Sequence, residues 1–272
     1  MESYSKAIYK PPAYRLDHLD NTQKDMYKAI KENRLADLKE LFDKSDGYSY
    51  FDSFTCQGPF LNVHYEIAAF HGHLECLEYI ITTSMKWYEG CNCNTDTTAS
   101  AAANGHINCL KFAYENGCPV DSYTFEYAAE YGQIECLRYL IENCCEYISY
   151  EIDKVLCANA AKNGHIKCLE LLHEEEMRWD EQTCVCAAEC ALKYNQVECL
   201  KYAYENGCPY PEELKSIIVR KIIIPKWYAS VKVHFIIYYW MKLGAKASCA
   251  ENGRARIEDI ISFDTDFNSL VL

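Results

Sequence analysis

The residues here able to bind metal or move protons are eight histidines and seventeen cysteines, and their spacing decides whether they do either. His73, His106 and His165 each follow a glycine in the same local string, so they occupy one recurring slot. An imidazole repeated by period is expected to hydrogen-bond the turn beside it and bridge neighbouring units, rather than to serve as an acid or base. His173-Glu174-Glu175-Glu176 lacks the second histidine, four positions on, that a zinc-protease helix requires. Among the cysteines, Cys91-Asn92-Cys93, Cys144-Cys145 and Cys184-Val185-Cys186 with Cys190 offer clustered thiols. Only Cys186 and Cys190 have knuckle spacing, and no second knuckle stands at a matching distance. Cys76, Cys109, Cys136, Cys168 and Cys199 instead share one slot, where a free thiol packs as a small hydrophobe. All seventeen are therefore expected to be reduced and metal-free.

Other chemistries leave no trace. None of the eleven glycines lies in a Gly-x-Gly-x-x-Gly or Gly-Lys-Ser/Thr string, and no Gly-x-Ser-x-Gly elbow occurs. No catalytic residue, metal or cofactor is expected. The net charge of −13 opposes binding to nucleic-acid phosphates and favours basic or neutral partners. The longest apolar runs, such as Phe235 to Met241, are too short to cross a bilayer. An odd cysteine count, no legible leader and no Asn-x-Ser/Thr site point to a reducing compartment: host or own cytoplasm, nucleus, or a virion assembled there.

The slots belong to a repeat. Gly72-His73-Leu74-Glu75-Cys76-Leu77 returns as Gly105-His106-Ile107-Asn108-Cys109-Leu110, Gly132-Gln133-Ile134-Glu135-Cys136-Leu137, Gly164-His165-Ile166-Lys167-Cys168-Leu169 and Asn195-Gln196-Val197-Glu198-Cys199-Leu200. Their first residues lie 33, 27, 32 and 31 positions apart. Units that small cannot bury their own apolar faces and must stack. Around Gly132, Phe125, Ala128 and Ala129 form a shallow helical stripe, and Gly132 supplies the left-handed turn. The second helix then carries Cys136, Leu137, Leu140 and Ile141 on one side and Glu135, Arg138 and Glu142 on the other. Gly72, Gly105, Gly164 and Asn195 take the same turn, asparagine being the next most tolerant residue there. Asn33 repeats the device in a degenerate first unit.

Second helices close with Glu115-Asn116-Gly117-Cys118-Pro119 and Glu205-Asn206-Gly207-Cys208-Pro209, strong stop signals. Ala187-Ala188 precedes Asn195 by eight residues, against four for the pair elsewhere, which predicts an extra helical turn in the fifth unit. The expected layout is an extension over 1–20, a repeat domain over 21–245 with degenerate caps at about 22–55 and 211–245, and a second extension over 246–272.

The Ala-Ala-x-x-Gly-His turn, the leucine-rich second helix and the closing glycine resemble ankyrin repeats. The match is nearest to the short variant common in giant DNA viruses and some protists, whose units resemble Gly-His-Leu-Glu-Cys-Leu followed by Glu-Asn-Gly-Cys-Pro. The chain departs from the common form in placing Tyr123-Thr124-Phe125-Glu126 where Thr-Pro-Leu-His is usual. Its short linkers predict turns in place of projecting β-hairpin fingers. The resemblance implies an all-α, ankyrin-like solenoid of about five clear helix-turn-helix units, and a non-enzymatic module for protein–protein binding.

Two rows of residues are candidates for that binding. One lies just before the turns and differs between units: His71, Glu130, Tyr131, Lys162 and Tyr194. Variation at a fixed position of a regular scaffold is where specificity would reside. The other follows the second helices with Trp87, Trp179 and Tyr210, which either line up as an aromatic ridge or fold down onto a neighbouring unit. The expected partner is another protein, with no nucleic acid and no membrane. The alternatives are a structural subunit of a large assembly such as a virus particle, for which the apolar residues after Pro209 speak, and a ubiquitin-ligase substrate adaptor, for which Pro211-Glu212-Glu213-Leu214 is a faint echo.

Overall fold

The computed structural model describes residues 21–44, 59–85, 93–144, 150–218 and 221. The expected extensions, Trp87 and most of the expected cap over 211–245 lie outside them. Six helix pairs follow one another: α1 (Asn21–Lys31) and α2 (Leu35–Lys44), α3 (Pro59–His71) and α4 (Leu74–Met85), α5 (Thr95–Asn104) and α6 (Ile107–Glu115). Then come α7 (Ser122–Glu130) and α8 (Ile134–Cys144), α9 (Tyr150–Lys162) and α10 (Ile166–Glu174), α11 (Glu181–Tyr194) and α12 (Glu198–Glu205). A 3-10 turn at Glu212–Leu214 leads into a short α13 (Lys215–Ile218). No strand occurs among the described residues. The fold is an all-α repeat solenoid.

Each hairpin is built by the signals read above. Gly72, Gly105, Gly132 and Gly164 have φ between +71° and +76°, and Asn33 and Asn195 have φ of 53° and 57°. At Asn33 and at the four glycine turns the next residue donates its N–H back to the first helix, as Gln133 does to the carbonyl of Ala128 at 2.8 Å. The first helix is capped by Asp121, whose carboxylate accepts from the Thr124 N–H, and by Asp180, which accepts from the Gln182 N–H. From cap to turn, Asp180 to Asn195 spans four positions more than Asp121 to Gly132, so the fifth unit does carry one extra helical turn.

The first helices form one layer and the second helices another. Ala68, Ala69, Ala101, Ala102, Ala128, Ala129, Ala160 and Ala161 are fully buried, and their small side chains let first helices lie closer together than second helices do. A stack tighter on one side bends toward that side, which makes the first-helix layer the inner face. Leu77, Leu110, Leu137, Leu169 and Leu200 join the layers into one continuous core with the periodic cysteines. Burying such a leucine contributes on the order of 2 kcal/mol relative to leaving it in water.

One expectation fails here. Cys93 and Cys118 are joined by a disulfide, with 5.4 Å between their Cα atoms. Neither belongs to the periodic slot. Cys93 sits just before α5 and Cys118 just after α6, so closing that hairpin brings the two ends together. Thiol usage therefore no longer assigns a reducing compartment by itself. The eleven other described cysteines are buried. Burial pushes the thiols of Cys109, Cys136, Cys157 and Cys168 up to about 12, so they stay protonated at neutral pH and are poor ligands and nucleophiles.

Candidate functional site

The turns carry a side-chain stitch between units. Nε2 of His165 donates to the carbonyl of Glu130 at 2.9 Å, that of His106 to Phe70 at 3.1 Å, and that of His73 to Lys31 at 3.2 Å. Gln133 does the same work with Nε2, donating to the carbonyl of Ala103 at 3.1 Å. Each accepting carbonyl belongs to the last turn of the preceding first helix, where no intrahelical donor remains. The ring crosses directly over the preceding glycine. A Cβ on Gly72 would lie 2.5 Å from His106 Nδ1, and one on Gly132 would lie 2.7 Å from His165 Cε1. Glycine is required there twice, for its positive φ and for the passage of the neighbour's side chain. Burial first, and the nearby charge of His73, lower the pKa of His106, although its bond to Phe70 acts the other way. These imidazoles are structural.

The row before the turns is solvent-facing but not uniform. Tyr194 is 44% exposed and Lys193 lies over its ring at 4.9 Å. Lys162 is exposed, whereas His71, Glu130 and Tyr131 are half-buried. His71 stacks on His73 at 5.5 Å, and its pKa is lowered by burial, then by His73, Lys31 and His106. At the matching position Asn104 and Asn163 instead turn back and donate to the carbonyls of Ser100 and Asn159. The surface thus changes character from unit to unit along the inner layer.

The third unit stands out in a way the row alone did not reveal. Tyr123, Tyr127 and Tyr131 follow one another along α7 with ring centroids 6.3 and 6.2 Å apart. Tyr123 is 58% exposed. Glu126 and Glu130 lie on the same side of the helix. Burial, then Glu130 and Asp121, raise the pKa of Glu126. Burial raises the Tyr127 hydroxyl, as do Glu130, Tyr123, Asp96 and Glu126 in that order. The i, i+4, i+8 spacing of the three tyrosines was the available signal.

The second candidate row behaves differently. Trp179 stacks on His173 at 4.1 Å and meets Tyr202 edge-on, while His173 Nδ1 and the Tyr202 hydroxyl are 2.9 Å apart. Tyr210 leans on Tyr204 at 5.9 Å, and both Trp179 and Tyr210 pack against the core. These rings cover second helices.

Deeper in the inner layer, Glu66 is 1% exposed and its carboxylate accepts from the Ser100 hydroxyl at 3.3 Å. Burial, with Asp96 nearby, pushes its pKa up to about 8. No group of three or more His, Cys, Asp or Glu side chains arranged to hold a metal ion exists among the described residues. No described helix is long and apolar enough to cross a membrane.

Comparison with known proteins agrees with this architecture. The family model for ankyrin repeats, in three copies, matches residues 65–154. The crystal structure of the human ASB11 ankyrin repeat domain superimposes with a TM-score of 0.52 at 16% sequence identity, covering 68% of this chain and 84% of that one. No curated protein sequence matches. The solenoid is thus ankyrin-like, with ankyrin repeats identified by sequence over 65–154.

Proposed function

We propose that this ankyrin-like array is a non-enzymatic module that binds another protein through its first-helix face. The observation that carries the reading is a fixed position with changing chemistry. Just before each turn stand His71, Asn104, Tyr131, Asn163 and Tyr194, with Glu130 and Lys162 one residue earlier in two units. The scaffold beneath them repeats, so selection for packing cannot account for the differences. Ankyrin repeats generally mediate protein–protein interaction, and among the described residues the periodic thiols and the imidazoles of His73, His106 and His165 are occupied in packing and stitching. The chain's charge of −13 supports a basic or neutral partner.

Trp179 and Tyr210 contribute less to this reading than the row before the turns, because their rings already cover second helices. The adaptor reading gains nothing from Pro211 to Leu214. That segment forms a 3-10 turn whose Leu214 packs into the core, which is what a repeat ending does. Of the apolar residues after Pro209 that favour the assembly-subunit reading, Leu214 and Ile218 pack into the core, and those beyond 221 lie outside the described residues.

The test is capture of the partner from the native source by the whole chain, with quantification of what co-purifies. Replacing Tyr131 and Tyr194 by Ala should weaken capture by about 1–2 kcal/mol if they are anchors. Undiminished capture by that variant, with loss on deleting 246–272, would place recognition in the tail and refute the proposal.

A further inference from the structure

We infer that the outward face of α7 is the docking surface for a lysine- or arginine-bearing segment of another protein, an inference that rests on the binding-module reading and names the chemistry of the partner. Two features of α7 converge. The first is a run of aromatic faces: Tyr123, Tyr127 and Tyr131 make a ladder along the helix, about one turn between successive rings. The second is charge. Glu126 and Glu130 alternate with those rings, and Asp96 approaches Tyr127 from α5. Among the described residues no salt bridge involves Asp96, Glu126 or Glu130. Burial, and then the neighbouring Glu130, raise the pKa of Glu126. A cation placed there would relieve that repulsion.

A tyrosine face flanked by carboxylates suits one kind of side chain. The ring's negative face attracts an ammonium or guanidinium group, and the carboxylate fixes it in place. This chain already uses the first half of that arrangement elsewhere. Lys39 lies over Tyr79 at 5.6 Å, Lys111 over Tyr139 at 5.2 Å and Lys193 over Tyr194 at 4.9 Å.

The neighbouring helices show that the feature is particular to α7. Counting back from the turn, the positions of Glu126, Tyr127 and Glu130 hold Ala99, Ser100 and Ala103 in α5, and Ala158, Asn159 and Lys162 in α9. The flanking first helices therefore offer small or oppositely charged side chains where α7 offers rings and carboxylates. An extended basic segment would cross one unit of the array. The net charge of −13 adds long-range attraction that steers such a segment in.

The experiment uses the full chain and a fluorescein-labelled peptide of alternating lysine and serine, with the lysines replaced by glutamate in a control peptide. Binding is read by anisotropy at two salt concentrations, alongside thermal melts of each variant. The double change Glu126→Gln and Glu130→Gln should weaken the lysine peptide by about tenfold, and Tyr127→Ser by a similar factor, while Tyr127→Phe keeps most of the affinity because its ring is retained. The matched control is Glu135→Gln with Glu142→Gln on α8, which removes the same charge elsewhere and should change binding less than about twofold. Equal loss in the two double variants would mean only general attraction by an acidic protein and overturn the inference, as would failure of the lysine peptide to bind. If the unlabelled chain forms a dimer that Glu126→Gln and Glu130→Gln dissolve, the occupant is a second copy and the inference also falls. Single Glu126→Gln serves where the double variant melts early. The broader binding-module reading survives any of these outcomes so long as Tyr131 and Tyr194 are needed to capture a native partner.

Discussion

Replacing Gly132 by Ala probes the stitch and the turn at once. At φ +71° an alanine costs about 1–2 kcal/mol over glycine from its Cβ alone. The same Cβ would meet the His165 ring, which must swing away and give up its hydrogen bond to the Glu130 carbonyl, a loss of about 1 kcal/mol. The single change should therefore destabilise the array by about 2–3 kcal/mol. His165→Ala alone loses the same bond, about 1 kcal/mol. With the ring already gone, Gly132→Ala should cost only the backbone term. The double variant should then be more stable than the sum of the singles by about 1 kcal/mol. Urea titrations of the four proteins followed by circular dichroism give each value. Additivity within about 0.5 kcal/mol would refute the crossing of imidazole over glycine. His165→Gln is the companion control. It should stay near wild type, because Gln133 makes the equivalent bond to Ala103.

Three further outcomes follow from single sites. Glu176 has φ 59° at the place that Gly117 and Gly207 take after α6 and α12, so Glu176→Gly should raise stability by about 1 kcal/mol, seen as a higher urea midpoint. Glu66 holds its proton up to about pH 8 when folded but ionises near 4.5 when unfolded, so the folded state binds the extra proton across that window and stability falls as pH rises through it. Glu66→Gln should flatten the decline in melting temperature between pH 5 and 8; an unchanged slope would count against the buried acid. Replacing Cys93 and Cys118 by Ser opens a bond between residues 25 apart and should cost about 3 kcal/mol, and dithiothreitol should lower the melting temperature of the parent but not of the double variant.

Periodic features were legible in the sequence because they recur. The left-handed turns at Gly72, Gly105, Gly132, Gly164, Asn33 and Asn195 were all foreseen, and so was the extra helical turn before Asn195. Each rests on comparison between units, which averages out local ambiguity. What escaped was local to one unit. The Cys93–Cys118 bond joins two positions outside the shared slot, and treating cysteines by slot hid them. The tyrosine ladder of α7 was half seen, through Tyr131 and Glu130, because comparison between units looks at one row while the ladder runs along a single helix. The direction in which Trp179 turns depends on His173 of its own unit and on Tyr202, which only stacking of the next unit brings near.

The stitch between units also has a direction, and direction matters while a chain is being made. His73, His106, Gln133 and His165 all reach backward, each finishing the end of a helix that was synthesised earlier. A hairpin emerging from the ribosome therefore waits for its successor's turn before its last carbonyl is satisfied. Ordering should trail synthesis by about one repeat. Loss of one of these four units strips a hydrogen-bond donor from the unit before it, whereas the unit after it merely returns a side chain to water. Removing one of these units is therefore felt unequally by its two neighbours.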